Sequence, residues 1–207
     1  MTLHSKPSHG CKPKGRGAND ANRVRIIGGA WRGRVIDFPD AEGLRPTANR
    51  VRETLFNWLG QTLHGKRCLD LFAGSGALGF EAASRGASEV VLVENNRAAI
   101  KALERSQEKL IAPQCRVILQ GATEFLARNH EKFDVVFLDP PFGSGLMANL
   151  LGQLERHLAP DAVAYAEWGE PIEAIISTIP QCDWRLAKQG KAGAVHFGLL
   201  TIGKGAT

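Results

Sequence analysis

Between residues 68 and 166 five short apolar runs alternate with four segments of helical period, an order that belongs to layered α/β folds. The runs 68–71, 89–93 (ending at Glu94), 116–119, 133–138 and 162–166 predict strands. Residues 77–84, 97–110, a short segment around Phe125 and 146–158 predict helices. Strands this continuously apolar are buried on both faces, as in a parallel sheet covered by helices on each side. The expected fold class is therefore α/β, with a doubly wound, mostly parallel, Rossmann-like sheet. Residues 184–202 break the alternation. There, two β-rich pieces flank Gln189-Gly190-Lys191-Ala192-Gly193, which predicts a C-terminal antiparallel hairpin at the sheet edge.

The first third of the chain follows other rules. Residues 1–22 hold Gly, Pro, Lys, Ser and Asn with almost no large apolar side chain, too little to offset the entropy of ordering, and are expected to be a disordered basic tail. Val24, Ile26 and Ile27 then lead into Gly28-Gly29, with Val35, Ile36 and Phe38 beyond, the pattern of a small N-terminal β-hairpin. Residues 43–46 read as a loop and Thr47 as an N-cap, after which Val51, Leu55, Trp58, Leu59 and Leu63 recur at helical spacing. A Trp on such a stripe reads as core, so Trp58 is assigned to packing. The expected organisation is a tail over 1–22, a hairpin-and-helix extension over 23–66, and a sheet domain over 67–207.

Charge supports that division. Of 207 residues, 26 are Lys or Arg and 21 are Asp or Glu, giving +5. Residues 1–66 carry 12 basic against 5 acidic side chains, whereas 67–207 carry 14 against 16. A basic N-terminal third suits an anionic partner, nucleic acid first of all, although a solvated basic tail has the same composition. Arg32, Arg34, Arg45, Arg50 and Arg52 are the candidate phosphate contacts, with structural ion pairs as their competing use. No apolar run reaches the roughly 18 residues of a membrane span and no secretory leader is legible, so a soluble, cytoplasmic protein without membrane partners is expected. Cys11, Cys68, Cys115 and Cys182 lack C-x-x-C spacing and the six histidines lack ligand spacing, so no metal is expected.

In an open α/β sheet, ligands gather beyond the carboxyl ends of the strands. Asp70-Leu71-Phe72-Ala73-Gly74-Ser75-Gly76-Ala77-Leu78-Gly79 follows the first such strand, with Gly74, Gly76 and Gly79 spelling G-x-G-x-x-G. That spelling serves a dinucleotide or any other adenosine-bearing ligand. Asp70, four residues before the first glycine, would repel a diphosphate and attract a cation, which favours S-adenosylmethionine. Glu94 at the next strand end offers two oxygens to ribose hydroxyls, or serves as a plain solvated charge. Asn95 is placed at the adenosine edge, and Gly121 and Ala122 offer backbone groups to the adenine ring. Asp139-Pro140-Pro141-Phe142 ends the 133–138 strand. The prolines hold the backbone rigid, so the Asp139 carboxylate and Pro140 carbonyl form a fixed acceptor pair suited to an exocyclic amine, with Phe142 as a stacking face. An isolated Asp-Pro-Pro also simply terminates a strand.

The D-x-F-x-G-x-G loop with D-P-P-F resembles the class I S-adenosylmethionine methyltransferases that modify exocyclic amines of bases. Arg25-Ile26-Ile27-Gly28-Gly29, Trp31-Arg32-Gly33-Arg34, Leu44-Arg45-Pro46-Thr47 and Val51-Arg52-Glu53-Thr54-Leu55-Phe56-Asn57 are more narrowly similar to the bacterial RsmD family, over about 23–202. The resemblance implies methylation of guanine N2 in 16S, small-subunit, ribosomal RNA, with the assembling or assembled subunit as partner. It implies that Asp70, Gly74 and Gly76 cradle S-adenosylmethionine and Glu94 holds its ribose, with Phe72, Ala73, Ser75, Asn95, Gly121 and Ala122 as the further candidate contacts. Asp139, Pro140, Pro141 and Phe142 would form the acceptor pocket. An N6-adenine or N4-cytosine methyltransferase would share the amine chemistry, a nicotinamide enzyme would share the glycines, and a noncatalytic RNA-binding protein would need none of the carboxylates.

Overall fold

A computed structural model describes residues 22–39, 47–141, 143–179 and 182–203. The expectations for residues 1–21, the 43–46 loop, Arg45 and Phe142 lie outside the described residues.

Seven strands form one sheet in the order β5-β4-β3-β6-β7-β9-β8. They are β3 (Arg67–Asp70), β4 (Glu89–Glu94), β5 (Cys115–Leu119), β6 (Phe133–Leu138), β7 (Leu158–Trp168), β8 (Trp184–Ala192) and β9 (Val195–Ile202). Strands β3 to β7 pair in parallel, and β9 runs antiparallel to both β7 and β8. Order reverses between β3 and β6, the switch point where sheets of this class open a crevice. Helices α1 (Asn49–Leu59), α2 (Ala77–Ser84) and α3 (Arg97–Leu110) contribute to one apolar core. Helices α4 (Ala122–Arg128), α5 (Leu146–Leu154) and α6 (Ile172–Ile176) contribute to the other. Successive strand residues feed opposite cores: Cys68, Val135, Phe137 and Tyr165 enter the first, while Leu69, Val136 and Ala164 enter the second. This two-sided burial is what made the strands read as continuous apolar runs.

Several expectations need correction. The 146–158 helix stops at Leu154, a 3-10 turn covers Glu155–His157, and Leu158 already opens β7, which runs to Trp168 rather than spanning 162–166. Leu158 is apolar in either setting, so its period decided nothing. Helix α6 was not anticipated. The C-terminal hairpin turns at Gly193-Ala194, because residues through Ala192 still pair in β8.

The short strands β1 (Arg23–Arg25) and β2 (Val35–Asp37) pair antiparallel as an N-terminal hairpin. The Gly28-Gly29 turn is pressed onto the C-terminal end of α2. Gly29 has φ +73°, and a Cβ there would lie 1.9 Å from the Ser84 carbonyl oxygen. The Ser84 hydroxyl donates to the Gly28 carbonyl at 2.6 Å and accepts from the Trp31 N–H at 2.9 Å. Beneath the turn, the fully buried Glu81 accepts from the Ile27 N–H at 2.8 Å and pairs with Arg85 at 2.8 Å and Arg52 at 3.5 Å. Arg52 has 0% exposure, so it cannot reach RNA phosphate, and that expectation is withdrawn. Its Nε and Nη1 find no hydrogen-bond partner, which leaves the Glu81 charge as their compensation. Val51, Leu55 and Phe56 of α1 join the same core as Phe137 and Tyr165.

Glu81→Gln should therefore leave two buried guanidinium groups without their counter-charge and cost about 3–5 kcal/mol in denaturant unfolding. Asp37→Asn, which breaks only the exposed pairs to Arg23 and Lys109, should cost less than about 1 kcal/mol.

Candidate active site

The crevice at the switch point is built from the ends of β3, β4, β6 and β7. Asp70 closes β3 with 2% exposure, and its Oδ2 accepts from the Gly79 N–H at 3.0 Å. Burial pushes its carboxyl up to about 7, against the pull of the Gly79 and Phe72 amides and with a further push from Glu94. The β3–α2 turn needs its glycines mainly for shape. Gly76, the N-cap of α2, has φ +78°, and a Cβ there would lie 2.5 Å from the Phe80 ring. A Cβ at Gly79 would lie 2.3 Å from Leu92. Ala73 and Ser75 are buried, Phe72 and Gly74 half-buried.

Glu94 is held in one orientation by backbone. Its Oε2 accepts from the Gly74 N–H at 2.9 Å, and its Oε1 accepts from the Asn95 and Asn96 N–H groups at 2.9 and 2.8 Å. Three of roughly four lone-pair positions are filled, which leaves about one for a ribose hydroxyl rather than the two expected. Asn96, which the sequence reading passed over, caps α3 by accepting from the Ala98 and Ala99 N–H groups; Asn before a helical period was its signal. Asn95 is exposed at this edge. Gly121 has open space where a side chain would stand, beside the buried Ala122 at the start of α4.

Across the crevice, Asp139 follows β6, with Pro140 buried and Pro141 exposed after it. Asp139 keeps a partly exposed surface although its carboxyl is closely surrounded by protein. Burial raises it well above the usual carboxylate range, and Glu167 and Asp70 raise it further. Three partners escaped the sequence reading. Thr47, expected to cap α1, leaves that place to Ala48, and its hydroxyl lies 3.4 Å from Asp139 Oδ2. Glu167, on the part of β7 beyond the expected strand, is buried and accepts from the Tyr165 hydroxyl at 2.8 Å. Burial raises both groups, so Tyr165 stays a hydrogen-bond donor. The signal was parity: Asp70 aligns with Phe137 and Phe137 with Tyr165, so Asp139 and Glu167 occupy matching places on one sheet face.

Among the described residues no Lys or Arg forms an ion pair with Asp70, Asp139 or Glu167. Asp139 with the carboxyls of Asp70 and Glu167 raising it, no cation paired to any of the three, and a glycine turn and open space at Gly121 beside them fit a positively charged adenosine-bearing ligand. Arg34 donates to the Lys109 and Leu110 carbonyls at the end of α3 while remaining exposed, and Arg32 and Arg50 are exposed. Burial pushes the Cys115 thiol up to about 12 and raises Cys68 as well, so neither supplies a thiolate nucleophile. Among the described residues there is no metal-holding group of His, Cys, Asp and Glu, and no helix is long and apolar enough to cross a membrane.

A doubly wound sheet of this order, with carboxylates at adjacent strand ends and a glycine turn between them, defines a Rossmann-like methyltransferase. Residues 24–201 match the family described as Conserved hypothetical protein 95, and the chain belongs to this family, the RsmD family. It is 43% identical over 196 residues to Ribosomal RNA small subunit methyltransferase D of Escherichia coli, covering 94% of this chain and 93% of that protein. The protein of the same name from Haemophilus influenzae is 42% identical over 187 residues, 87% of this chain and 95% of its own length. The solved structure of yhhF from Escherichia coli superposes with a TM-score of 0.77 at 43% identity, covering 87% of this chain and 98% of that one.

A group whose folded-state value is raised holds its proton longer in the folded state, so stability falls as pH climbs from the unfolded value, 3.8, towards about 7. Asp70→Asn should flatten this decline in the ligand-free protein, as read from unfolding free energies at a series of pH values.

Proposed function

We propose that this protein transfers a methyl group from S-adenosylmethionine to the exocyclic N2 amine of a guanine in 16S ribosomal RNA, within the assembling or assembled small subunit in the cytoplasm. The observation that carries the reading is the Asp139-Pro140 pair at the end of β6, facing Asp70 across the switch point without a cation of the protein between them. The names of the relatives support ribosomal RNA of the small subunit as the substrate.

The cofactor supplies a methyl group on a sulfonium, which transfers with the C–S electron pair remaining on sulfur. The residues that would hold it are Asp70, Phe72, Ala73, Gly74, Ser75 and Gly76 of the β3–α2 turn, Glu94 and Asn95 after β4, and Gly121 and Ala122 at α4. Asp70 attracts its positive charge, and Glu94 accepts from a ribose hydroxyl. Asp139 and the Pro140 carbonyl accept from the two amine N–H groups. This aims the nitrogen lone pair and favours the positive charge that grows there. Pro140 and Pro141 keep the loop backbone from folding back to compete for those acceptors. Phe142 is assigned to stacking on the base. Arg32, Arg34, Arg45 and Arg50 are assigned to phosphates, with the hairpin-and-helix segment 23–66 as the RNA-facing part.

Transfer of labelled methyl into small subunits from cells lacking the activity, followed by nucleoside analysis, should give N2-methylguanosine. Asp139→Ala should cut the rate roughly 100-fold or more while cofactor affinity stays within about twofold. Label in adenine or cytosine would overturn the substrate. Arg32→Ala with Arg50→Ala should weaken RNA binding and reduce the slope of log affinity against log salt by about 1–2, leaving cofactor affinity unchanged.

A further inference from the structure

The end of β7 carries a side chain that the reaction just described does not use. Glu167 is buried and anchored by the Tyr165 hydroxyl at 2.8 Å, in the parallel-strand place next to Asp139. The Thr47 hydroxyl stands at the same spot, 3.4 Å from Asp139 Oδ2. We propose that Glu167 is a positioning residue that acts through Asp139, making it the acceptor for the proton the guanine amine releases, while the Thr47 hydroxyl opposes this by stabilising the ionised carboxylates. This rests on the reading of Asp139 as the amine's partner.

The surroundings decide the direction. Glu167 accepts from the Tyr165 hydroxyl at 2.8 Å, which favours its charged form, and the Thr47 hydroxyl, 3.4 Å from Asp139 Oδ2, is near enough to favour that form too. Among the described residues Asp139 has the Thr47 hydroxyl, at 3.4 Å, as its one side-chain donor, and two carboxylates, Glu167 and Asp70, that disfavour its charge. Across β9 the residue paired with Glu167 is Phe197, with Trp58 of α1 packed on it at 5.5 Å; on that side Lys188 donates to the Trp58 carbonyl at 3.5 Å, and His196 pairs with Trp168 one place along. On α1, Arg52 is committed to Glu81, and Arg50 and Glu53 are exposed. A lone hydroxyl hydrogen serves one carboxylate at a time. The arrangement therefore places negative charge on Glu167 and proton affinity on Asp139. As the amine nitrogen forms its bond to the methyl carbon and the C–S bond breaks, one N–H bond also breaks. Its proton goes to Asp139, which is a stronger base because Glu167 is charged beside it.

The test follows the Asp139 carboxyl carbon by NMR in the full-length, ligand-free protein across pH, with Asp139→Asn giving the assignment. Glu167→Gln should lower the Asp139 titration, Thr47→Val should raise it, and Thr47→Ser should leave it unchanged. In methyl-transfer assays at saturating cofactor, the acid limb of the kcat profile should move the same way in each variant. Glu167→Gln should also lower the kcat plateau roughly tenfold, with KM for the cofactor unchanged. The proposal is overturned if Asp139 titrates in Glu167→Gln as in the wild type. It is equally overturned if both variants move it the same way, or if kcat falls with no movement of the limb, as general loosening would produce. Glu167→Gln is nearly isosteric and carries the test by itself where Thr47→Val does not fold. Expected titrations in a wild type that places no methyl on guanine N2 would sustain the Glu167 coupling and reject the substrate.

Discussion

A carboxylate removed from water, Glu81, determines where the N-terminal segment can lie. Alone, such a charge would be intolerable in a core. Here it is met by one backbone N–H from the hairpin and by guanidinium groups from α1 and α2, so the hairpin, α1 and α2 are fastened to a single point. Replacing one partner leaves the others stranded, so the cluster tolerates little independent drift in any of the three elements. Arg85 adds a contact over the Phe56 ring at 4.7 Å and hydrogen bonds to Gln61, extending the same fastening past the end of α1.

That placement reaches the chemistry. Once α1 lies across the face formed by Phe137 and Tyr165, Thr47, two residues before its first turn, is delivered to the ends of β6 and β7. The crevice is thus completed from outside the sheet. Asp70 and Glu167 come from β3 and β7 and Asp139 directly follows β6, strands whose register aligns Asp70 with Phe137 and Phe137 with Tyr165, and the hydroxyl beside Asp139 comes from the segment that Glu81 secures. Among the described residues no cation pairs with them, and Glu167 and Asp70 both hold the Asp139 carboxyl up, an environment that suits positive charge.

Much of this was legible in the residues. Continuous apolar runs gave the parallel strands, and residues 77–84, 97–110 and 133–138 occupy the expected elements because period and boundary signals agreed there. Asp70, Glu94 and Asp139 were legible as residues that follow apolar runs. What escaped depended on neighbours distant in sequence. Thr47 and Asp139 lie 92 positions apart, and nothing local in either reveals the other. Glu167 escaped because β7 was ended at 166, one residue short. Arg52 was misread for a different reason. It shares a helical face with Leu55, Phe56 and Leu59, and a charge on an apolar stripe is the sign of a buried ion pair rather than a phosphate contact.

The shared core of α1 and the sheet has a consequence for how this architecture can be reused. Removing the N-terminal segment would uncover Phe137, Tyr165 and Phe197, strand side chains that need a covering helix as much as the strands facing α2 and α3 do. The sheet is therefore not a detachable module that could stand without the segment that covers it. Any segment put in its place would have to bring its own apolar stripe to the same side chains, so the sheet and its N-terminal cover must change together.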